Sequence, residues 1–224
     1  MAATSSVWRR ALVAGALAVV ALAAGTAFLF TGSTVECAEE VRPSGVALRC
    51  PFDVAAPPEV VWEAFVAVGE PRPYYFDAVL QADLRPGGRW RFVTDDLQRL
   101  LAAGEILAIE PPHRLAQSFA AADLDEPPSR IRVALTAVPG GTRVELVHDG
   151  FARETTTYRR FRRAHPLALS AMKSVLETGE LPLRARIYTA IFEPAMKRVS
   201  ARAAPWEPAG AAAPSPAPGR RPRR

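Results

Sequence analysis

Apolar and polar residues alternate along the middle of the chain, which is the pattern of strands that bury one face. The first alternating segment has its apolar residues at Val46, Leu48, Cys50, Phe52 and Val54. Segments 130–137 and 142–148 repeat the pattern, and the turn residues Pro139, Gly140 and Gly141 separate them. The alternation predicts one strand near the start of a domain and a hairpin near its end.

Between these segments, proline and glycine residues mark the turns of a continuous meander. Segments 79–85 and 89–95 flank Pro86-Gly87-Gly88, a sequence typical of a hairpin turn. The next two segments, 104–109 and 115–121, are separated by a pair of prolines. The pattern therefore predicts five or six antiparallel strands joined by short turns.

Two segments with helical spacing frame this meander. A pair of prolines opens the first, whose apolar residues are Val60, Val61 and Phe65. The second ends near Gly179, a typical residue after a helix C-terminus. Its apolar residues are Leu167, Ala168, Met172, Val175 and Leu176. The order predicts an α+β fold in which one long helix crosses the concave face of a curved antiparallel sheet. An apolar cavity can form between the two, where small molecules usually bind.

The N-terminal part of the chain predicts a membrane segment. Residues 11–30 are 20 consecutive uncharged residues, long enough to cross a bilayer as a helix. Arginines lie within 1–10 and glutamates within 31–44, so we expect a short cytoplasmic N-terminus, a linker after the membrane and a domain outside. A cleaved signal peptide is the alternative, although the apolar region of such peptides usually has only about 7–15 residues.

The C-terminal part is basic and divides into two segments. Residues 1–151 carry 13 arginines against 18 acidic residues, whereas residues 152–224 carry 15 basic residues against 5 acidic ones. Segment 180–203 predicts an amphipathic helix, which Pro194 should kink or restart. This helix could lie on an anionic membrane surface or pack against the domain.

The last segment, 204–224, is rich in alanine, proline and arginine and is expected to be disordered, because it cannot build a core. Trp206 is its only aromatic residue, so the tail does not predict nucleic-acid binding.

Several segments of the meander and its flanking helices resemble one superfamily in order and spacing. They are APPEVVWEAF at 56–65, LRPGGRWRF at 84–92, GEILAIEPPHRL at 104–115, SRIRVAL at 129–135, GGTRVELVHDGF at 140–151 and LSAMKSVLETG at 169–179. In these segments the chain resembles the SRPBCC (START/Bet v 1-like) superfamily, in the branch named after the activator of Hsp90 ATPase. The resemblance implies the helix-grip fold over residues 45–179. Tyr74-Tyr75-Phe76 and His165-Pro166 depart from the pattern of the branch, where tryptophan is common, so the shape of a pocket is not transferred.

The candidates for a ligand cavity are mainly aromatic residues and residues of the inward strand faces. They are Trp62, Phe65, Tyr75, Phe76, Trp90, Phe119, Val133, His148 and Met172. His148 could bind a ligand or act as a base, but no carboxylate or nucleophile is placed beside it by the sequence, and a histidine of the core is the alternative. We assign no catalytic residue.

The cysteine and histidine residues predict no metal site and no cofactor, because no cluster has the spacing of metal ligands. Cys37 and Cys50 could form a disulfide if the domain lies outside the cytoplasm, or remain two thiols.

These observations predict a domain that is anchored by residues 11–30, lies outside the cytoplasmic membrane and binds a hydrophobic or amphipathic small molecule, a lipid included. Two alternatives stay open. Related folds include cyclases and hydrolases with polar groups in the cavity, so an enzyme is one. A co-chaperone-like interaction module is the other, although an ATP-dependent cytosolic chaperone would be on the other side of the membrane in this orientation.

Overall fold

A ten-stranded antiparallel sheet, with a long helix across it, forms the frame of the domain. The computed structural model describes residues 34–43, 45–151, 155–199 and 201–207. The predicted membrane segment 11–30 lies outside the described residues, as does most of the predicted disordered tail. Within the described ranges, no helix combines the length and the apolar character needed to cross a membrane.

The strands follow one another in the order β1-β2-β9-β8-β7-β6-β5-β4-β3, and β10 pairs with the start of β6. They are β1 (Ala38–Arg42), β2 (Gly45–Val54), β3 (Pro71–Arg72), β4 (Ala78–Ala82), β5 (Arg89–Val93), β6 (Arg99–Glu110), β7 (Arg114–Ala121), β8 (Ser129–Val138), β9 (Gly141–Phe151) and β10 (Ala201–Arg202). The predicted meander is confirmed. The hairpin between β4 and β5 turns through Gly87, whose φ of 75° favours glycine.

In the described part of the chain, three helices accompany the sheet: α1 (Pro58–Val66), α2 (Thr156–Thr178) and α3 (Leu183–Val199). A single 3-10 turn, Pro73–Tyr75, follows β3. Helix α1 begins with a proline at its first position, as predicted. Gly179 ends α2 with a φ of 77°, which confirms the predicted C-terminus. The curved sheet with this long helix across it fits the helix-grip fold.

The linker predicted over 31–44 is wrong in part, because β1 lies within it. This polar strand pairs with β2 at the edge of the sheet, where its side chains can remain in solvent. A disulfide between Cys37 and Cys50 joins the start of this segment to β2. Val35, just before it, is buried in the core, and its N–H donates to Ser170 Oγ of α2 at 2.9 Å. Polarity alone does not distinguish such an edge strand from a spacer.

The alternation in β2, β8 and β9 places the predicted residues on the inner face of the sheet. Val133, Leu135, Val144 and Leu146 are buried, as are the alternate residues of β2. Helix α1 covers part of this face with its own buried residues, Val61, Trp62, Ala64 and Val66. The core therefore lies between the sheet, α1 and α2.

The segment predicted as an amphipathic helix packs against the domain. Ala185 of α3 is buried, and Tyr188 contacts the ring of Phe76 with 5.4 Å between centroids. The helix continues across Pro194, so it does not restart there. Lys197 forms ion pairs with Glu193 at 2.7 Å and with Asp95 at 2.9 Å, which hold the last turn together and join it to the turn between β5 and β6.

Candidate ligand-binding cavity

A cavity of about 170 Å³ lies between the sheet and the first half of α2. Strands β5 to β9 supply one wall, and α2 lies opposite. Its lining is Phe65, Arg72, Tyr75, Phe76, Ala78, Phe92, Leu101, Ala102, Leu115, Gln117, Phe119, Ala121, Ile131, Val133, Leu146, Arg160, Phe161, Ala164, His165 and Tyr188. Most of these side chains are apolar, and many are aromatic. Such a lining, with a few polar groups, is typical of small-molecule sites.

Aromatic rings in the cavity wall contact one another in tilted or edge-to-face pairs. The Phe119 and Phe161 rings are nearly perpendicular, with centroids 4.9 Å apart, and they join β7 to α2. Tyr75 and Phe92 form a tilted pair with centroids 5.8 Å apart. These contacts hold the aromatic side chains of the cavity wall in place.

Two arginines line the cavity, and they differ in their partners. Arg160 of α2 makes two hydrogen bonds to the Asp123 carboxylate, at 2.9 and 2.7 Å. Arg72 of β3 is only 3% exposed, donates from Nη2 to the Ala67 carbonyl at 2.7 Å and lies 5.3 Å from the centre of the Phe92 ring. Burial lowers the pKa of the Arg72 guanidinium, but an arginine in a protein keeps its charge. Among the described residues, Nε of Arg72 has no hydrogen-bond acceptor.

A chain of three buried side chains lies at one end of the cavity. Ser129 Oγ is 2.8 Å from Nε2 of His148, and Nδ1 of His148 is 2.9 Å from Nε2 of His165. Burial lowers the pKa of His165 to about 3, and burial together with the neighbouring His165 lowers the pKa of His148 well below its usual value. Both imidazoles are therefore neutral near pH 7, with one ring nitrogen donating and the other accepting.

The geometry of this chain favours a structural role for Ser129 and His148. Both are buried, and neither lines the cavity; only His165 reaches it. The hydrogen-bond partners of the His148 ring are a hydroxyl and a second neutral imidazole, and no carboxylate orients it as in a catalytic triad. The arrangement can hold β8, β9 and α2 in register and present one neutral imidazole to a ligand.

The structure brings five of the nine predicted cavity residues to the lining: Phe65, Tyr75, Phe76, Phe119 and Val133. The other four, Trp62, Trp90, His148 and Met172, are buried outside it. Trp90 donates from Nε1 to the Ser118 carbonyl at 3.1 Å, and Gly104 leaves the space for its indole. Trp62 and Met172 pack in the core shared by α1 and the second half of α2.

The cavity residues that sequence reasoning missed include Arg72, Arg160, His165 and Tyr188. A signal for His165 exists, because Phe161, His165 and Met172 are four and seven residues apart and share one face of α2. No comparable signal marks Arg72, which lies between two prolines that indicate only a chain break. In the described part of the chain, no group of three potential metal ligands converges.

Comparison with known proteins agrees with this architecture. The family described as "Activator of Hsp90 ATPase homolog 1-like protein" matches residues 55–177, more than half of the chain. No curated protein matches at a significant level.

Among solved structures, CalU16 from Micromonospora echinospora has 22% identity and a TM-score of 0.51, over 74% of this chain and 98% of its own. A conserved protein of unknown function from Enterococcus faecalis has 12% identity and a TM-score of 0.54, over 77% and 96% of the two chains. Protein MLL2253 from Mesorhizobium loti has 20% identity and a TM-score of 0.50, over 60% and 99%. At these identities the likeness shows the fold alone. The family match, together with the sheet and helix described above, shows that this chain belongs to the family of activator of Hsp90 ATPase homolog 1-like proteins.

Proposed function

We propose that this domain binds a small apolar or amphipathic molecule in the cavity between the sheet and α2. The observation that carries the proposal is the cavity itself, which lies among aromatic side chains beside a core of buried residues. Protein interiors rarely leave space of this size, because a void costs the contacts of its lining atoms. An apolar ligand would restore those contacts.

The volume limits what the cavity can enclose. An engineered cavity of about 150 Å³ in another protein holds one benzene molecule, and the cavity here has about 170 Å³. The enclosed part of a ligand is therefore about one aromatic ring or a short aliphatic chain. A lipid with a long acyl chain would leave most of that chain outside, so we favour a smaller molecule over a lipid.

We also propose that residues 11–30 anchor this domain to the cytoplasmic membrane and that the domain lies outside. The Cys37–Cys50 disulfide supports this location, because structural disulfides persist mainly in oxidising compartments. A reporter enzyme that is active only outside the cytoplasm, fused to the C-terminus, should be active. An inactive reporter of normal abundance would contradict the location and favour a co-chaperone-like role in the cytoplasm.

Toluene is a suitable probe for the cavity, because it is neutral, apolar and of the right size. Added to the purified full-length chain, it should shift the NMR signals of the cavity lining in a saturable way. Ala164→Phe places a ring in the cavity from α2 and should abolish this binding. Ala108→Phe, at an exposed position of β6, is the matched control and should leave it unchanged. Failure of toluene to bind, or binding that Ala164→Phe does not affect, would refute the proposal.

A further inference from the structure

Arg72 is a buried charge in the wall of the cavity. Only 3% of the residue is exposed, and the described residues supply one acceptor, the Ala67 carbonyl. Nε has no acceptor, and none of the described carboxylates forms an ion pair with the guanidinium; Glu63 exerts only a distant attraction. An uncompensated charge in an apolar environment is costly, and proteins rarely keep one without a partner.

The second arginine of the lining shows how this domain compensates such a charge. Arg160 faces the two oxygens of Asp123, which come from the loop between β7 and β8. The hydrogen bonds from Arg160 hold the pKa of Asp123 below its usual value, so the pair stays ionised near pH 7. Arg72 lacks an equivalent carboxylate among the described residues, although both arginines line the same cavity.

Arg72 and Tyr75 lie at the same corner of the cavity. Both contact the Phe92 ring, with the Arg72 guanidinium carbon 5.3 Å and the Tyr75 ring 5.8 Å from its centroid. Burial raises the pKa of Tyr75 to about 12, so its hydroxyl stays protonated and can donate a hydrogen bond. The corner thus offers a cation and a neutral donor, with apolar side chains filling the rest of the lining.

We propose that the ligand is a small carboxylic acid, with its carboxylate paired to Arg72 beside Tyr75 and its apolar body among the aromatic rings. The planar guanidinium matches the two oxygens of a carboxylate, and such charge-assisted bonds are strong when water is excluded. The apolar body is a single aromatic ring or a short aliphatic chain, because the cavity encloses no more. This assignment rests on the proposed function and adds the charge of the ligand to it.

Benzoate and benzyl alcohol have similar shapes and differ in charge, so their comparison tests whether the charge of the ligand matters. Both carry one benzene ring, and only benzoate is anionic near pH 7. Binding to the purified full-length chain is measured by calorimetry or by protein NMR at fixed ionic strength. Benzoate should bind about tenfold more tightly than benzyl alcohol, the difference expected when a hydrogen-bonded charged group gains its partner.

Three variants test whether Arg72 causes the preference for benzoate. Arg72→Met removes the charge and should equalise the two affinities by weakening benzoate about tenfold, without weakening benzyl alcohol. Arg72→Lys keeps the charge and should retain part of the preference. Arg114→Met, at an exposed arginine of β7, is the control and should change neither affinity.

The outcomes separate this inference from the proposed function. Equal binding of the two probes to the unmodified chain, or an unchanged benzoate affinity in Arg72→Met, would overturn the carboxylate assignment and leave apolar binding intact. If toluene does not bind, the proposed function fails, and the assignment, which rests on it, fails with it. The comparison on the unmodified chain does not depend on the folding of any variant.

Discussion

The two halves of α2 cover the same sheet but meet very different surroundings. In the second half, Leu169 and Met172 are fully buried against side chains of α1 and β2. In the first half, Phe161 and Ala164 are only partly buried and face the cavity. The difference follows from α1, whose buried residues, Trp62 among them, belong to the same core as Leu169 and Met172. We conclude that the sheet curvature provides the space and that α1 determines which part of it remains open.

The buried polar groups also differ in their hydrogen bonding between the border of the two halves and the cavity. At the border between the halves, hydrogen bonds link Ser129, His148 and His165. At the far corner of the cavity, Arg72 keeps an unsatisfied donor and an unpaired charge among the described residues. A hydrogen-bonded chain of buried polar groups is typical of a structural element, whereas a donor without an acceptor in a cavity indicates a place for a ligand.

Acidification should produce the largest change in stability, because it acts at the border between the two halves. The pKa of His165 in the folded protein is about 3, and that of His148 is also well below its usual value. In the unfolded chain both should titrate near their ordinary pKa of about 6.5. Between these values the unfolded chain binds more protons, so stability decreases as the pH falls below about 6.5.

From pH 7 to pH 5, His165 alone should remove about 2 kcal/mol from the free energy of unfolding, and His148 should add to this loss. Urea unfolding at several pH values measures this loss, and the interval avoids most carboxylate titration. His148→Phe removes one titrating group, so its stability should depend less on pH. His113→Gln, at an exposed histidine, should keep the full dependence. A stability that is constant from pH 7 to 5 would contradict neutral buried imidazoles.

Shortening one apolar side chain in the packed half and one in the cavity wall should give the next largest effect on stability. Leu169→Ala leaves a new void in the packed half and should lower the free energy of unfolding by about 3 kcal/mol. Ile131→Ala removes the same number of carbons from the cavity wall, where the residue is only half buried, and should lower it by about 1 kcal/mol. Urea midpoints at constant m-value provide the measurement. Equal losses would show that the cavity half is packed as closely as the other.

The periodicity of apolar residues predicted the helices and strands that have one buried face. It did not predict which element packs against that face. The alternation ending in Val144, Leu146 and His148 correctly placed all three inside the sheet. The first eleven residues of α2 were missed, because four arginines hide the apolar face and Pro166 indicates a break. Whether an inward residue lines a cavity or a core depends on α1, which is distant in sequence, so Met172 and Trp62 were assigned to the cavity. Arg72 has no local signal, because the ring that it packs against, that of Phe92, lies on another strand.

The smallest effect we predict concerns Glu126, which holds the first turn of α2 over the cavity half. Its carboxylate accepts hydrogen bonds from the N–H groups of Thr156 and Thr157, at 2.7 and 2.9 Å, where the positive end of the helix dipole favours a negative charge. Burial opposes ionisation, but these bonds and the Thr157 hydroxyl lower its pKa to about 2. Glu126→Gln should therefore cost about 1 kcal/mol of stability and accelerate amide exchange in the first turn, while exchange around Leu169 stays slow. Glu105→Gln, at an exposed position of β6, should change neither quantity. If exchange rose equally in both halves of α2, the helix would respond as one unit, and the contrast between a closely packed half and a loosely held half would fail.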